Sequence, residues 1–289
     1  TTNGGPTYRV KYNGDIVESI QGNVTSGNPY GYVSTIIPND VGQSAEYTAS
    51  QETVFTNTND VNAAATTRKI VSFWTIIDTF GTGTGTSSRN IWEEGGGTNW
   101  WNAYTSNGDS IFISIGESNS QKGYCSKTGL STGTLYHVVM QWEGSTDTME
   151  LWVNGTLACT TSTTVGTDLS SHTGDWEIGG NSDAKDHTSV ASTLQFDGKI
   201  GDYAYWAEPS RFLTQSEIED IYNAGAGTGG ITLSGNISTD EGTTGLDCST
   251  PRTVNLLVDG AGSYTTECNN TSGNGYWSIP SVSVDSGET

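Results

Sequence analysis

The chain contains 289 residues, which is enough for one large β domain or two ordinary domains to bury a core without help. Its 32 acidic and 11 basic residues give a formal net charge of −21 at pH 7, which excludes nucleic acid and anionic membrane surfaces as favoured partners. No run of about eighteen apolar residues is present, so membrane insertion is not expected. The 38 glycines and 9 tryptophans favour many short strands joined by tight turns.

Strands are predicted along most of the chain, because apolar and polar residues alternate with a period of two. Clear examples are residues 111–115, 137–142 and 149–153. The last of these runs directly into Asn154 and Gly155, a dipeptide that favours a tight hairpin. Residues 139–159 are therefore predicted to form a three-stranded antiparallel meander.

A single helix is predicted over residues 212–225. Thr214 can cap its first turn while Glu217 reaches back to the cap. Gly225 is predicted to stop the helix in a left-handed conformation. Residues 226–230 have the composition of a flexible linker, so we place a domain boundary there.

The last part of the chain, residues 231–289, is predicted to be a small β domain. Strands are expected at 231–235, 253–258 and 276–279, and Asp259-Gly260 is placed as the turn of a hairpin. The sequence stops where a further strand is expected. We therefore expect this domain to be truncated and the chain to be a fragment of a longer protein.

Four cysteines fall in two pairs, Cys125 with Cys159 and Cys248 with Cys268. None has the two-residue spacing of a zinc knuckle. A disulfide in each pair would indicate an oxidising, extracellular setting. The alternative is four free buried thiols.

The order of segments between residues 68 and 225 resembles the laminin-G-like branch of the concanavalin A-like lectin and glucanase superfamily. The segments that carry this resemblance are 70–74, 94–99, 135–144, 149–155 (MELWVNG), 176–180, 196–202 and the capped helix. The resemblance implies an all-β fold, a two-sheet antiparallel jelly-roll sandwich over residues 1–225 with one short capping helix. It also implies a concave face that often binds glycans, sometimes with calcium at a loop rim. Residues 1–67 match less well, and residues 231–289 resemble the start of an immunoglobulin-like module of surface proteins.

Catalytic residues are not assigned. Retaining glucanases of this superfamily carry Glu-x-Asp-x-x-Glu or Glu-x-Asp-x-Glu on one strand, because residues two apart share a face and the chemistry needs close carboxyls. That motif is absent, and the adjacent Glu93 and Glu94 are predicted to point to opposite faces. The three histidines, His137, His172 and His187, lack a Gly-x-Ser-x-Gly nucleophile setting. His137 is predicted to pack within a strand.

Calcium is the one cofactor that the sequence suggests. The loop 180–186 offers oxygen ligands after a predicted strand, and Asp197 follows at the start of the next one. Calcium takes six to eight oxygens in flexible geometry, so Asp183, Asp186 and Asp197 are the candidate ligands. The alternative is a solvated acidic loop, since Asn and Asp are common turn formers.

Sugar recognition would use exposed aromatic rings flanked by amides. Trp100, Trp101 and Tyr104 with Asn99 and Asn102 fit that chemistry. Because adjacent strand residues face opposite ways, one tryptophan is predicted to be buried and the other exposed. The alternative is that these rings belong to the core, as expected of the other tryptophans in strand patterns.

The sequence thus predicts a non-catalytic adhesion or carbohydrate-binding protein, located extracellularly, on a cell surface or on a virion surface. Its expected partners are glycans or neighbouring surface proteins, with a homo-oligomer or larger assembly as one form of the latter. The first alternative is a structural or decoration protein of a virion or surface filament. The minor alternative is a glycoside hydrolase or lyase with an unrecognised site.

Overall fold

A computed structural model of the chain describes residues 8–10, 31–34, 43–47, 53–55, 65–172, 176–180, 185–191, 194–207, 209–226, 231–239, 244–250, 252–258, 262–268, 270 and 275–282. The chain divides into two compact units, Thr1–Glu219 and Asp220–Thr289. The division falls inside the predicted helix, and most of the expected linker lies outside the described residues. Among the described residues, no helix is long and apolar enough to cross a membrane.

The first unit is built from strands. They are β1 Tyr8–Val10, β2 Gly31–Ser34, β3 Gln43–Tyr47, β4 Thr53–Phe55, β5 Arg68–Ile77, β6 Arg89–Gly95, β7 Trp100–Ser106, β8 Ser110–Glu117, β9 Ser120–Lys127, β10 Leu135–Glu143, β11 Thr148–Val153, β12 Thr156–Ser162, β13 Trp176–Ile178, β14 Leu194–Gln195 and β15 Gly198–Ala207.

These strands form the two sheets of a sandwich. The back sheet has the order β12-β11-β10-β5-β15-β3-β2, and β1 also pairs with β15. The front sheet has the order β4-β13-β6-β7-β8-β9, and the short β14 runs parallel to β6. All other described pairings are antiparallel. The predicted all-β, two-sheet jelly roll is confirmed.

The core lies between the two sheets. It is formed by the side chains that point inward from every second position along the strands. It is rich in aromatic side chains: Trp92 and Trp101 pack edge to face with ring centroids 5.1 Å apart. Trp176 packs on Tyr203 with centroids 5.5 Å apart, and its indole nitrogen donates to the Tyr203 hydroxyl at 3.2 Å. Aromatic pairs of this kind contribute about 0.5–1.5 kcal/mol each beyond their buried area.

The predicted meander is present as β10, β11 and β12. Asn154 and Gly155 both have positive φ, 51° and 74°, which is the geometry of the tight hairpin turn expected of this dipeptide. Both predicted disulfides are present as well. Cys125 on β9 bonds to Cys159 on β12, so this bond joins an edge strand of the front sheet to an edge strand of the back sheet.

Helix α1 spans Gln215–Ala226. Its predicted capping box is confirmed, because the Glu217 carboxylate accepts from the Thr214 backbone N–H at 2.8 Å and the Glu217 N–H donates to the Thr214 hydroxyl at 3.3 Å. The predicted stop at Gly225 is wrong by one residue, since the helix continues to Ala226.

The second unit contains the strands β16 Ile231–Asn236, β17 Thr253–Val258, β18 Gly262–Glu267 and β19 Tyr276–Val282. β16 pairs with β19 and β17 with β18, all antiparallel, and Cys248 bonds to Cys268. The β17–β18 register pairs Val258 with Gly262, as the predicted hairpin requires, while its turn residues lie outside the described part. The immunoglobulin-like character of this unit stays a prediction.

Candidate functional site

The front sheet has a second face, which points away from the core and which we call the outer face. One row of register partners crosses it from β13 to β9 and consists of Glu177, Glu93, Asn102, Ser114 and Tyr124. The neighbouring row contains Asn90, Tyr104, Phe112 and Ser126, and Trp100 lies opposite Gly116 beyond the first row. Their strand neighbours Trp92, Trp101, Ala103 and Ile113 belong to the core instead.

A β-bulge in β6 decides which residues reach this face. The register between β6 and β7 shifts between Asn90 and Trp92, which inserts Ile91 as an extra residue. Asn90 and Glu93 therefore share the outer face although they are three positions apart. The side-chain amide nitrogen of Asn90 donates to the Glu93 carboxylate.

Residues 185–191, which we call the covering segment, lie across the outer face. The Lys185 carbonyl accepts from the Asn102 amide at 3.1 Å and from the Ser114 hydroxyl at 3.2 Å. The Ser189 hydroxyl accepts from the backbone N–H of Gln121 at 3.0 Å. The segment is thus hydrogen-bonded to β7, β8 and β9.

Both tryptophans of the predicted sugar platform are fully buried, so the expectation of one exposed ring is wrong. Trp101 faces the core as a member of the main cluster. Trp100 faces outward, but a β-carbon at Gly116 would overlap its ring, so the ring fills the space left by that glycine. The Lys185 ammonium then lies 5.9 Å from its centroid. The prediction that the two rings face opposite sides of the sheet is correct. The sequence could not show that the covering segment buries the outward-facing ring.

The other three candidate sugar contacts are buried too. Asn102 is held by Lys185 and Ser114, and Tyr104 lies beneath the covering segment. Asn99 fastens the β6–β7 turn, since its amide donates to the Ser171 carbonyl at 3.0 Å and accepts from the Ser118 N–H at 3.0 Å. The structure therefore brings Trp100, Asn102 and Tyr104 to one face and leaves the other two elsewhere.

An aromatic group on the outer face does reach solvent. The His187 ring stacks on Phe112 with centroids 4.7 Å apart and a 3° interplanar angle, and it lies 4.8 Å from the Tyr124 ring. Tyr124 is 44% exposed. We call Tyr124, His187 and Phe112 the aromatic platform. Sequence analysis missed it, because Tyr124 and His187 are far apart in the chain.

The protonation of His187 follows from its neighbours. Burial lowers the pKa of His187 and outweighs the opposing effect of Asp186, so the ring is neutral at neutral pH. Burial also raises the pKa of Tyr104 well above its usual value, so its hydroxyl keeps its proton. That hydroxyl accepts from the His187 backbone N–H at 3.0 Å and lies 2.5 Å from Nδ1. It therefore donates to Nδ1, which leaves Nε2 of His187 as an N–H donor.

The predicted calcium ligands are not gathered by the described residues. The carboxylate of Asp186 is buried and accepts from the Thr188 N–H at 2.8 Å, the Thr188 hydroxyl at 2.5 Å and the Gly85 N–H, so it shapes the covering segment. Asp197 is half-buried beside β15, and Asp183 lies outside the described part. No three His, Cys, Asp or Glu side chains within that part could hold a metal ion. Calcium binding by these three aspartates stays a prediction.

The two adjacent glutamates separate as expected. Glu94 points to the core side, where its Oε1 pairs with the Lys69 ammonium and lies 2.9 Å from Nε2 of His172. Burial alone would raise the pKa of Glu94, but Lys69 and His172 outweigh it and hold this pKa below its ordinary value. Glu93 instead faces Glu177 across the β6–β13 pairing. Sequence analysis did not connect these two, although the alternating Trp176-Glu177-Ile178 placed Glu177 on a strand.

The remaining histidine, His137, packs in the back sheet as predicted. It is 1% exposed, its ring lies 4.8 Å from that of Trp74, and its Nε2 is 2.9 Å from the Ser72 hydroxyl. Burial lowers its pKa to about 3, so it is neutral at physiological pH.

Comparison with known proteins agrees with this architecture. The laminin G family model described as "Concanavalin A-like lectin/glucanases superfamily" matches residues 42–219. No curated protein sequence matches the chain. Among solved structures, the binding domain of botulinum neurotoxin DC in complex with rat synaptotagmin II is similar, with a TM-score of 0.58 and 12% identity over 92% of this chain. The receptor binding domain of the botulinum neurotoxin C/D mosaic serotype is similar too, with a TM-score of 0.57 and 13% identity over 92% of this chain.

The match covers 63% of each of those two toxin chains, and at such identities it is a likeness of fold alone. The family model, by contrast, matches more than half of the present sequence. This chain belongs to the concanavalin A-like lectin/glucanases superfamily.

Proposed function

We propose that the chain is a non-catalytic, extracellular adhesion domain that binds carbohydrate on the aromatic platform. The observation that carries this proposal is the 44% exposed ring of Tyr124 on the outer face, whose centroid lies 4.8 Å from that of the His187 ring. The C–H faces of a pyranose pack on such rings, while its hydroxyls require nearby hydrogen-bonding groups. The similar solved structures are themselves binding domains, and we extend a binding role to this chain as part of the proposal.

The polar partners of the sugar would come from the residues around the ring. Nε2 of His187 is a donor for a hydroxyl oxygen, because Nδ1 is occupied by Tyr104. Ser126 lies two residues from Tyr124 on the same face of β9 and offers a hydroxyl that can donate or accept. The net charge of −21 favours a neutral glycan over an acidic one.

The placement of the carboxylates supports binding rather than hydrolysis. Glu93 is fully buried and Glu177 is 3% exposed, so the scissile bond of a substrate would not reach them in this conformation. Glu94 is held on the core side by Lys69. The two disulfides support a secreted or surface location, because such bonds persist in oxidising compartments.

The proposal is tested with an array of neutral and acidic glycans, read with and without a calcium chelator. Neutral glycans should bind, and Tyr124→Ala should weaken binding at least about tenfold, equivalent to about 1.4 kcal/mol. Leu157→Ala is the matched control, because Leu157 is a 43% exposed apolar side chain on the back sheet. Binding to no glycan in either buffer would contradict a carbohydrate-binding role.

A packing role against neighbouring surface proteins, as in a virion or filament, is favoured by one other feature. β12 is an edge strand of the back sheet, and none of its residues is charged. Uncharged edge strands are templates for pairing with another chain. This alternative predicts concentration-dependent association in light scattering that Leu157→Lys abolishes, whereas a monomer at all concentrations would speak against it.

A further inference from the structure

Four aromatic side chains lie on the outer face and are spread over three strands. Trp100 and Tyr104 belong to β7, Phe112 to β8 and Tyr124 to β9. The Tyr104 and Phe112 rings stack with centroids 5.4 Å apart, and the centroids of Phe112 and Tyr124 are 6.4 Å apart. Sugar rings pack on aromatic faces, so a floor of this kind, if it were open, would suit several units of a polysaccharide.

Most of this aromatic floor is closed to solvent. Trp100 and Tyr104 are fully buried and Phe112 is 6% exposed, whereas Tyr124 is 44% exposed. The His187 imidazole lies parallel to the Phe112 ring, with centroids 4.7 Å apart and an interplanar angle of 3°, so it occupies the position that a sugar ring would take there. Of these four rings, Tyr124 is therefore the one on which a sugar can pack.

The covering segment forms a closed turn beside Tyr124. An isolated antiparallel bridge joins its two ends, and the Asp186 N–H donates to the Val190 carbonyl at 3.0 Å. A β-carbon at Gly85 would lie 2.9 Å from Cγ1 of Val190, so the turn also packs closely on the loop that follows β5. A glycan on Tyr124 therefore cannot continue across the sheet towards β7.

The other side of Tyr124 is the edge of the sheet, because β9 is an edge strand in the described part of the chain. At the covering segment, Nε2 of His187 supplies one fixed donor, since Nδ1 is held by the Tyr104 hydroxyl. One open ring and one fixed donor match the size of a single sugar unit.

We propose that the aromatic platform recognises the single terminal unit of a neutral glycan rather than a stretch within a polysaccharide, which rests on the carbohydrate-binding role proposed above. The apolar face of that unit packs on Tyr124, one of its hydroxyls accepts from Nε2 of His187, and the next unit extends past β9 into solvent. The bound end is the non-reducing one, because the reducing end of a surface glycan is attached to its carrier. The covering segment sets this specificity by closing the rest of the face.

Calorimetric titration of the whole chain tests this specificity. The probes are the methyl glycosides of glucose, galactose, mannose and N-acetylglucosamine, together with trisaccharides and hexasaccharides that end in the same units. For the unit that binds, the dissociation constants of the methyl glycoside, the trisaccharide and the hexasaccharide should agree within about threefold, because the added units contact solvent. A trisaccharide with the same inner units but a different non-reducing end should bind at least about tenfold more weakly.

His187→Ala should introduce a dependence on chain length, because it uncovers Phe112 for a second sugar ring. In this variant the hexasaccharide should bind more than about threefold more tightly than the methyl glycoside. Leu157→Ala on the back sheet is the matched control and should keep the affinities equal. Equal affinities in His187→Ala would overturn the role given to the covering segment.

The outcomes separate this proposal from the carbohydrate-binding role itself. If the affinity of the unaltered chain rises more than about threefold with chain length, recognition of a single unit is overturned, while a loss of binding in Tyr124→Ala would still support the aromatic platform as the site. Binding to none of the probes and to no glycan on the array would overturn both.

Discussion

The disulfide between Cys125 and Cys159 should contribute a large part of the stability of the sandwich. It joins β9 of the front sheet to β12 of the back sheet, and Cys125 is 1% exposed. The sequence separation is 34 residues. The loss of loop-closure entropy in the unfolded chain then corresponds to about 3.8 kcal/mol at 25 °C. Replacing both cysteines by alanine should lower the free energy of unfolding by that amount and the melting temperature by about 8–15 °C.

Urea unfolding followed by tryptophan fluorescence is the appropriate assay, because the core of the first unit contains several buried tryptophans. The matched control replaces Cys248 and Cys268, whose disulfide lies in the second unit. This control should leave the urea concentration at which the first unit unfolds unchanged. A loss below about 1 kcal/mol in the Cys125/Cys159 variant, or an equal loss in the control, would show that this disulfide does not stabilise the first unit by constraining its unfolded chain.

Three further predictions concern single side chains. Lys69→Met removes the ammonium that pairs with the buried Glu94 carboxylate and leaves only His172 beside it, so it should cost about 3–5 kcal/mol in urea unfolding, and adding Glu94→Gln should recover much of this loss; a loss under about 1 kcal/mol would show that the Lys69–Glu94 pair is unimportant. His137 has a folded-state pKa of about 3 against 6.5 when unfolded, so its contribution to stability is complete above pH 6.5 and is lost as the pH falls towards 3. The chain should lose about 1.4 kcal/mol per pH unit in this range, and His137→Gln should reduce that slope; an unchanged slope would assign it to other groups. Gly116→Ala should clash with the buried ring of Trp100 and cost about 1–3 kcal/mol, whereas a neutral result would mean that the ring is free to move.

Much of the fold could be predicted because it depends on local chemistry. The Asn154-Gly155 turn fixes the β11–β12 hairpin, and the reciprocal contacts of Thr214 and Glu217 start helix α1. Period-two alternation also separated Glu93 from Glu94 correctly. Each of these features is determined by residues that are close in sequence.

The site could be predicted only in part, because it depends on contacts between distant segments. Alternation indicated that Trp100 and Trp101 face opposite ways, but it could not show that residues 185–191 fold over the outer face. The bulge at Ile91, which places Asn90 beside Glu93, has no simple sequence signal. The pairing of Glu93 with Glu177 required knowledge of which strands are neighbours.

An NMR titration of the chain with a neutral glycan that binds on the array tests the central proposal most directly, because it shows where the sugar contacts the protein. We expect chemical-shift changes centred on the Tyr124 and His187 rings and on the amide of Ser126, with Leu157 on the back sheet unaffected. Shift changes centred on another surface, or none at glycan concentrations that saturate the array, would contradict it.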